Sequence, residues 1–328
     1  MKTALILIIS LLFFSCSPTP QKKNYFKMDT IVEITIFQEK STEKIEQIFS
    51  EIENLLTDWD NRFAPSSENS EVLRVNLRTN DTLEISDDLF EMIETALDFS
   101  QKTDGAFDIS VKPLKDFWNI GGTGEFLPDP KDTNFLDTLA KILNNIDYRK
   151  IVLLENPKCV IFENSEMQID LGGIAKGFVI DKIRRVLEDN GIKNFIVNIG
   201  GDIFVMGEKR KNKKIIVGVK NPREGGLLRV MPKSRGALVT SGDYERFRIA
   251  QSGARVHHIF DTKTGFPVSK NIAISISGES IIVADILATG LFSFSESEIR
   301  EKINAFQNYE FLLVDSTQNV HSTQNFGK

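Results

Sequence analysis

From Thr30 to Phe37 the side chains alternate, Ile31, Glu33 and Thr35 on one side and Val32, Ile34 and Ile36 on the other, which predicts a strand with one wet face. Ser41 then stands as a cap for a helix of about four turns, because Ile45, Ile48, Phe49, Ile52, Leu55, Leu56 and Trp59 recur at helical spacing. A second amphipathic helix is predicted over Ser86 to Gln101 from Leu89, Ile93, Ala96, Leu97 and Ser100. A third spans Ile174 to Asp189 and is stopped by Asn190-Gly191. Further strands are expected at Ile151–Leu154, Asn194–Ile199, Lys214–Val219, Ala237–Thr240, Ile272–Ser277 and Tyr309–Val314. Ser280–Phe292 and Ser295–Phe306 read as helices, the latter with Ser295 and Glu298 at capping-box spacing. Strands and helices alternate irregularly, and gaps such as Gly207–Lys213 are of hairpin length. This favours an α+β domain over a doubly wound parallel sheet. The chain reads as one unit over 25–328, with a sub-domain around Gly121–Asn145.

The first 24 residues read differently. Lys2 precedes an apolar run from Ala4 to Phe14, interrupted by Ser10 and too short to span a bilayer, so 1–15 is expected to be an export signal. Ser15-Cys16 resembles the bacterial lipobox, in which the thiol is acylated, although Phe13 and Phe14 are bulkier than usual there; the alternative is a secretory signal with an incidental cysteine. Residues 16–24, with Pro18, Pro20 and two lysines, are then expected to be a lipidated cysteine and a tether. Only one other cysteine exists, Cys159, whose apolar neighbours Ile151–Leu154 and Val160–Phe162 suit a small buried residue in a strand, so no structural disulfide is expected.

At 328 residues, with 41% hydrophobic and 26% charged positions, the chain has an ordinary globular composition. The formal charge of -6 argues against a surface that neutralises a phosphate backbone, so no nucleic-acid partner is expected.

Candidate chemistry gathers around glycine pairs. Asp170-Leu171-Gly172-Gly173-Ile174-Ala175-Lys176-Gly177 stands where an apolar strand enters a helix, a place where free amides and the helix dipole favour phosphate. It is not a Walker A loop, since Lys176 precedes Gly177 and no Ser or Thr follows; a tight turn with an exposed lysine is the plainer alternative. Asp285 and Thr289 lie four apart on a predicted helix, so a carboxylate and a hydroxyl share one face. They could hold magnesium, which takes few protein carboxylates, or simply be a buried Asp bonded to Thr. Three histidines, with His257 and His258 adjacent, do not suit a transition-metal site. His258 precedes the turn Thr264-Gly265-Phe266-Pro267 and is a candidate proton carrier or an ordinary structural histidine. Ser241 is a weak nucleophile candidate, as no G-x-S-x-G elbow surrounds it.

Six spaced motifs, Thr103-Asp104-Gly105-Ala106-Phe107-Asp108, Asp170 to Gly177, Asn198-Ile199-Gly200-Gly201-Asp202, Thr240 to Glu245, His258-Ile259-Phe260-Asp261 and Ala284 to Thr289, together resemble the ApbE family in order. Ser70-Glu71 through Asn76 and the Met28-Asp29-Thr30 start, where that family usually has Met-Gly-Thr, agree with it. The resemblance implies a T-fold-like α+β core of mixed or antiparallel sheets and packed helices, with the flavin site between its halves. It implies an FAD:protein FMN transferase, which cleaves FAD, passes FMN to a threonine of an exported acceptor protein and releases AMP. It also implies that Gly173, Asp285 and Thr289 hold magnesium, with manganese suited to the same oxygens. On the same grounds Met28, Phe63, Ala106, Phe107, Asp108, Asp170, Lys176 and Ile259 border the FAD, Lys176 as a charge near phosphate, and His258 takes the acceptor's proton, oriented by Asp261 or Asp243. Asp29 would place a negative charge near the FAD pocket, and Thr262 stands where proline is common. An FAD pyrophosphatase using water, and a lipoprotein that binds FAD without turnover, are the competing readings. The expected location is a lipid-anchored, periplasm-facing inner membrane.

Overall fold

The computed structural model describes residues 19–65, 67–120, 127–250, 253 and 255–328. The expected export signal, Cys16 and the Gly121-Gly122 pair lie outside the described residues. The chain begins with β1 (Gln21–Lys27), β2 (Thr30–Ile36), α1 (Thr42–Phe63), α2 (Glu71–Asn76), β3 (Thr82–Glu84), α3 (Asp87–Lys102) and α4 (Lys112–Phe117). It continues through α5 (Phe135–Leu143), β4 (Ile151–Glu155), β5 (Lys158–Phe162), α6 (Ala175–Asp189), β6 (Phe195–Ile199), β7 (Asp202–Met206), β8 (Glu208–Arg210) and β9 (Lys213–Lys220). The last elements are β10 (Leu227–Lys233), β11 (Arg235–Gly242), β12 (Phe247–Ile249), β13 (Arg255–His257), β14 (Asn271–Gly278), α7 (Ile281–Gly290), α8 (Glu296–Ile303), β15 (Glu310–Asp315) and β16 (Val320–Ser322).

An eight-stranded sheet in the order β1-β2-β6-β7-β11-β14-β15-β16 organises the molecule. Its ladders are antiparallel, which bears out the α+β reading. The alternation of β2 decides which face goes where: Val32, Ile34 and Ile36 join Ile48, Ile52 and Leu56 of α1 in the main core, which α3, α6 and α7 complete. The other face is covered by β9 and β10, whose Val217, Val219 and Met231 bury Val205, Leu238 and Ile272. Because both faces are covered, β14 is buried almost throughout rather than alternating. A satellite cluster of Leu114, Trp118, Phe135, Leu139, Val256 and Phe260 holds α4 and α5 against the loop after β13. The described part of the expected 121–145 sub-domain packs there.

Ser41, Ser86 and Ser280 each accept a hydrogen bond from a backbone amide three residues on and so cap α1, α3 and α7. The tether is shorter than expected, because Gln21 to Asn24 already pair with β2. β1 is an edge strand held by main-chain bonds, and its charged, non-alternating sequence gives no side-chain signal for them.

The turn joining β1 and β2 consists of Met28 and Asp29, both with positive φ, 55° and 57°. A two-residue turn of this hand favours glycine, because a Cβ in the left-handed region crowds the following carbonyl. Asp29→Gly is therefore expected to raise stability by about 0.5–1 kcal/mol, read as an increase in the urea midpoint with unchanged slope.

Candidate active site

The strand directions bring one end of the large sheet together: the start of β2, the end of β6, the start of β7 and the end of β11. At that end the Gly200-Gly201 turn, with φ of 60° and 102°, passes so close to Thr30 that a Cβ on Gly200 would lie 2.7 Å from the Thr30 hydroxyl. Met28 is tied in by its amide, which donates to Asp60 Oδ1 of α1 at 3.1 Å.

Immediately after the turn, Asp202 is 1% exposed, forms a close ion pair with Lys176 and accepts from the Thr240 amide at 3.3 Å. Lys176 opens α6, whose cap residue Ile174 offers no side-chain acceptor to the free amides of the first turn. One of those amides, that of Gly177, donates instead to Asp285 Oδ2 of α7 at 2.9 Å. The helices approach closely there: a Cβ on Gly177 would lie 2.8 Å from the Ile282 Cα. Burial holds the Asp285 carboxyl above the ordinary carboxylate range, opposed by the Lys176 charge and reinforced by Asp202. Burial alone would lower the Lys176 ammonium, but Asp202 and Asp285 more than reverse this and hold it above its usual value.

Thr289 follows Asp285 by one turn on the same face of α7, and the position a Gly173 Cβ would take is 3.1 Å from its hydroxyl and from the Phe107 ring. The structure thus brings Gly173 to Asp285 and Thr289, from which the sequence separates it by more than a hundred residues. Among the described residues, neither Asp285 Oδ1 nor the Thr289 hydroxyl has a hydrogen-bond partner. A carboxylate oxygen, a hydroxyl and the nearby Gly173 carbonyl form a hard oxygen set that fits magnesium or manganese. Three-residue clusters of His, Cys, Asp and Glu suited to a metal do not occur among the described residues, so such an ion would rely on substrate oxygens for the rest of its shell.

Asp170 lies at the other end of the same loop. Asn76 brackets the preceding backbone, donating to the Ile169 carbonyl at 2.8 Å and accepting from its amide at 2.7 Å. Asp170 accepts from the Gly172 amide at 2.9 Å and closes an ion pair with Lys115 of α4. Burial would raise this carboxyl, but Lys115 outweighs burial and lowers it. Lys115 carries no motif around it in the sequence, and only the fold reveals it.

The two histidines separate cleanly. His257 is buried, accepts the Ile259 amide at Nδ1 and donates from Nε2 to the Val268 carbonyl at 2.7 Å, so it is structural. His258 is half-buried, and its Nδ1 lies 3.3 Å from the Arg246 carbonyl. A carbonyl only accepts, so Nδ1 carries the proton and Nε2 is left with an open lone pair. Burial, then Lys115, His257 and Arg246, push the His258 pKa down to about 3. Its folded value lies below the ordinary 6.5, so this group favours the folded chain above pH 6.5, and that contribution is lost as pH falls toward 3. An NMR titration is expected to find His258 neutral at pH 5; a midpoint near 6.5 would contradict the assignment.

Several expected flavin contacts are engaged elsewhere. Asp108 is buried, accepts from the Ser110 amide and hydroxyl and from the Tyr148 amide, and so fastens two loops rather than facing a ligand. Phe63 is 7% exposed, packed on Trp59 with ring centroids 4.5 Å apart and covered by the Arg62 guanidinium, which leaves no open face for stacking. Lys176 forms its ion pair with Asp202. Ile259 is buried in the main core, while Ala106 is half-buried and Phe107 lines the Gly173 side of the cluster. Neither expected orienting acid reaches His258: Asp261 accepts from the Lys263 and Thr264 amides, and Asp243 is bound by Arg223 and Arg255. Thr262 uses its hydroxyl to donate to the Gly105 carbonyl at 2.8 Å, joining the turn after His258 to the 103–108 loop. Ser241 sits inside β11, paired with Ile274, and not on an elbow.

Comparison with known proteins places this geometry. The ApbE family profile matches residues 28–313. The FAD:protein FMN transferase of Treponema pallidum is 27% identical over 94% of this chain and 89% of its own length. That of Haemophilus influenzae is 30% identical over 79% of this chain and 77% of its own. Among solved structures, the ApbE protein of Thermotoga maritima superposes with a TM-score of 0.84 at 28% identity, covering 94% of this chain and 98% of that one. The flavin transferase ApbE of Vibrio cholerae has the same fold, with a TM-score of 0.82 at 23% identity and coverage of 94% and 98%.

Proposed function

The chain belongs to the ApbE family, and from that premise we propose that it is an FAD:protein FMN transferase that modifies a threonine of an exported acceptor protein. The observation that carries this reading is the convergence of Gly173, Asp285 and Thr289 beside the Lys176–Asp202 pair. Asp285 Oδ1, the Thr289 hydroxyl and the Gly173 carbonyl would hold a magnesium ion. When bound, such an ion neutralises charge on the FAD pyrophosphate and polarises its phosphoryl oxygens.

The chain's own residues supply the rest. Lys176 and Asp202 fix the start of α6, so the Gly172-Gly173 loop meets α7 at a defined height. His258 Nε2 takes the proton of the threonine hydroxyl as its oxygen bonds to the FMN phosphorus and the bond from that phosphorus to the bridging oxygen breaks. AMP leaves with that oxygen, and FMN remains on the acceptor as a phosphodiester. Burial, with the Lys115 and Arg246 charges, holds His258 neutral, and the charge of a bound pyrophosphate would offset those two cations and raise the imidazole toward a useful basicity. Upstream, Cys16 carries a lipid after removal of 1–15 and holds the domain on the outer face of the inner membrane.

Mass spectrometry of a threonine-bearing acceptor incubated with the protein, FAD and magnesium tests the reading. An FMN adduct on threonine that a chelator abolishes supports it. AMP formed without an adduct on any acceptor makes the protein an FAD pyrophosphatase, and bound but intact FAD makes it a carrier.

A further inference from the structure

The reaction uses one end of the large sheet, and the opposite end carries a separate feature. Gln21 pairs with Ile36, Ile36 with Phe195 and Phe195 with Met206, so the start of β1 and the end of β7 share that far end. There the β8–β9 hairpin turns at Asn212, with φ of 60°, and presents Lys209, Arg210, Lys211, Lys213 and Lys214, all exposed. None of the five forms an ion pair with a described residue. In a chain of formal charge -6 this is a local inversion of sign. Four of these cations rim a depression of about 550 Å³ whose floor is apolar: Pro20, Ile216 and Pro232. Ile216 is 60% exposed.

We propose that this hairpin is a docking surface for an anionic phospholipid bilayer, and that it turns the catalytic end of the sheet away from the membrane. Long cationic stems around a small apolar floor suit headgroup phosphates with shallow acyl contact below them. The path of the chain selects a bilayer over other anions. Pro20 lines the depression, and the four residue-to-residue steps from Cys16 to Pro20 reach about 14 Å at most, so a lipid on Cys16 would bring this hairpin to the surface. The seven residues of β1 then separate the site from the bilayer by roughly 20 Å, leaving an acceptor protein free access. The geometry rests on the lipid-anchored reading of Cys16; the charge chemistry does not.

The test uses the full chain with a fluorescent donor at Asn212→Cys or, at the other end, Gly225→Cys, and vesicles bearing a headgroup-labelled acceptor. Vesicles are pure phosphatidylcholine or contain about 30% phosphatidylglycerol. On the Cys16→Ser chain, which no lipid holds to the vesicle, strong transfer from position 212 on anionic vesicles is expected, with little from 225, and roughly 0.5 M salt or neutral lipid should remove it. Equal transfer from both ends, or transfer from 212 that ignores lipid charge, overturns the proposal. In a Cys16→Ser background, charge-dependent binding should persist and fall on the order of a hundredfold in Lys209→Gln/Lys211→Gln/Lys213→Gln. Loss of all charge-dependent binding in Cys16→Ser alone rejects the hairpin and leaves the anchor standing. Unchanged association of Cys16→Ser with neutral and anionic vesicles alike, with the 212 probe silent, rejects both.

Discussion

His258→Ala is expected to lower FMN transfer by about 10²–10⁴-fold while leaving FAD affinity nearly unchanged. The neutral imidazole has its Nδ1 proton on the Arg246 carbonyl and a free Nε2, so it contributes a proton acceptor rather than a binding charge. His258→Gln, which keeps a polar side chain without a base, should be equally slow, and its AMP release should fall in step with adduct formation. His257→Ala is the contrasting variant. It leaves the Ile259 amide and the Val268 carbonyl unpaired, so its main effect should be on stability, by about 1–3 kcal/mol. Transfer at the normal rate in His258→Ala would remove this residue from the mechanism.

Asp285→Asn is expected to abolish turnover, with a loss of at least about 10²-fold, and to keep the fold. The amide oxygen still accepts from Gly177, so the cap on α6 survives, while the charge facing Lys176 and the metal position is gone. Asp285→Ala also removes that acceptor and should cost a further 1–3 kcal/mol or so of stability. Steady-state AMP release read beside thermal melting separates the two effects. A pure FAD carrier would retain most of its flavin affinity in both variants and show no turnover to lose.

How much of this could be read from the chain depends on the kind of interaction. Where side-chain periodicity reports burial, as in β2, α1, α3 and α6, the elements fall within a few residues of expectation. β1 escaped because an edge strand is held by main-chain bonds and its lysines are compatible with solvent. Strands β10, β12 and β13 are short or mostly exposed, so alternation is weak in them. Within the site, Asp285 and Thr289 were legible as one helical face, and family likeness added Gly173. The Lys176–Asp202 and Lys115–Asp170 pairs were not, since each joins groups from different elements and only packing sets their distance. Asp108 and Phe63 belong to matching or neighbouring segments, yet their hydrogen bonds and burial give them work in the scaffold. Motif membership identifies the right region but does not distinguish a residue that touches the ligand from one that holds the loop.

The most direct test of the central claim is in-gel flavin fluorescence of a threonine-bearing acceptor after incubation with the protein, FAD and magnesium, with AMP measured in the same reaction. A covalent fluorescent band with one AMP per flavin attached, both lost in Asp285→Asn and His258→Ala, is the predicted result. A band that persists in Asp285→Asn, or AMP released with no acceptor labelled, would contradict it.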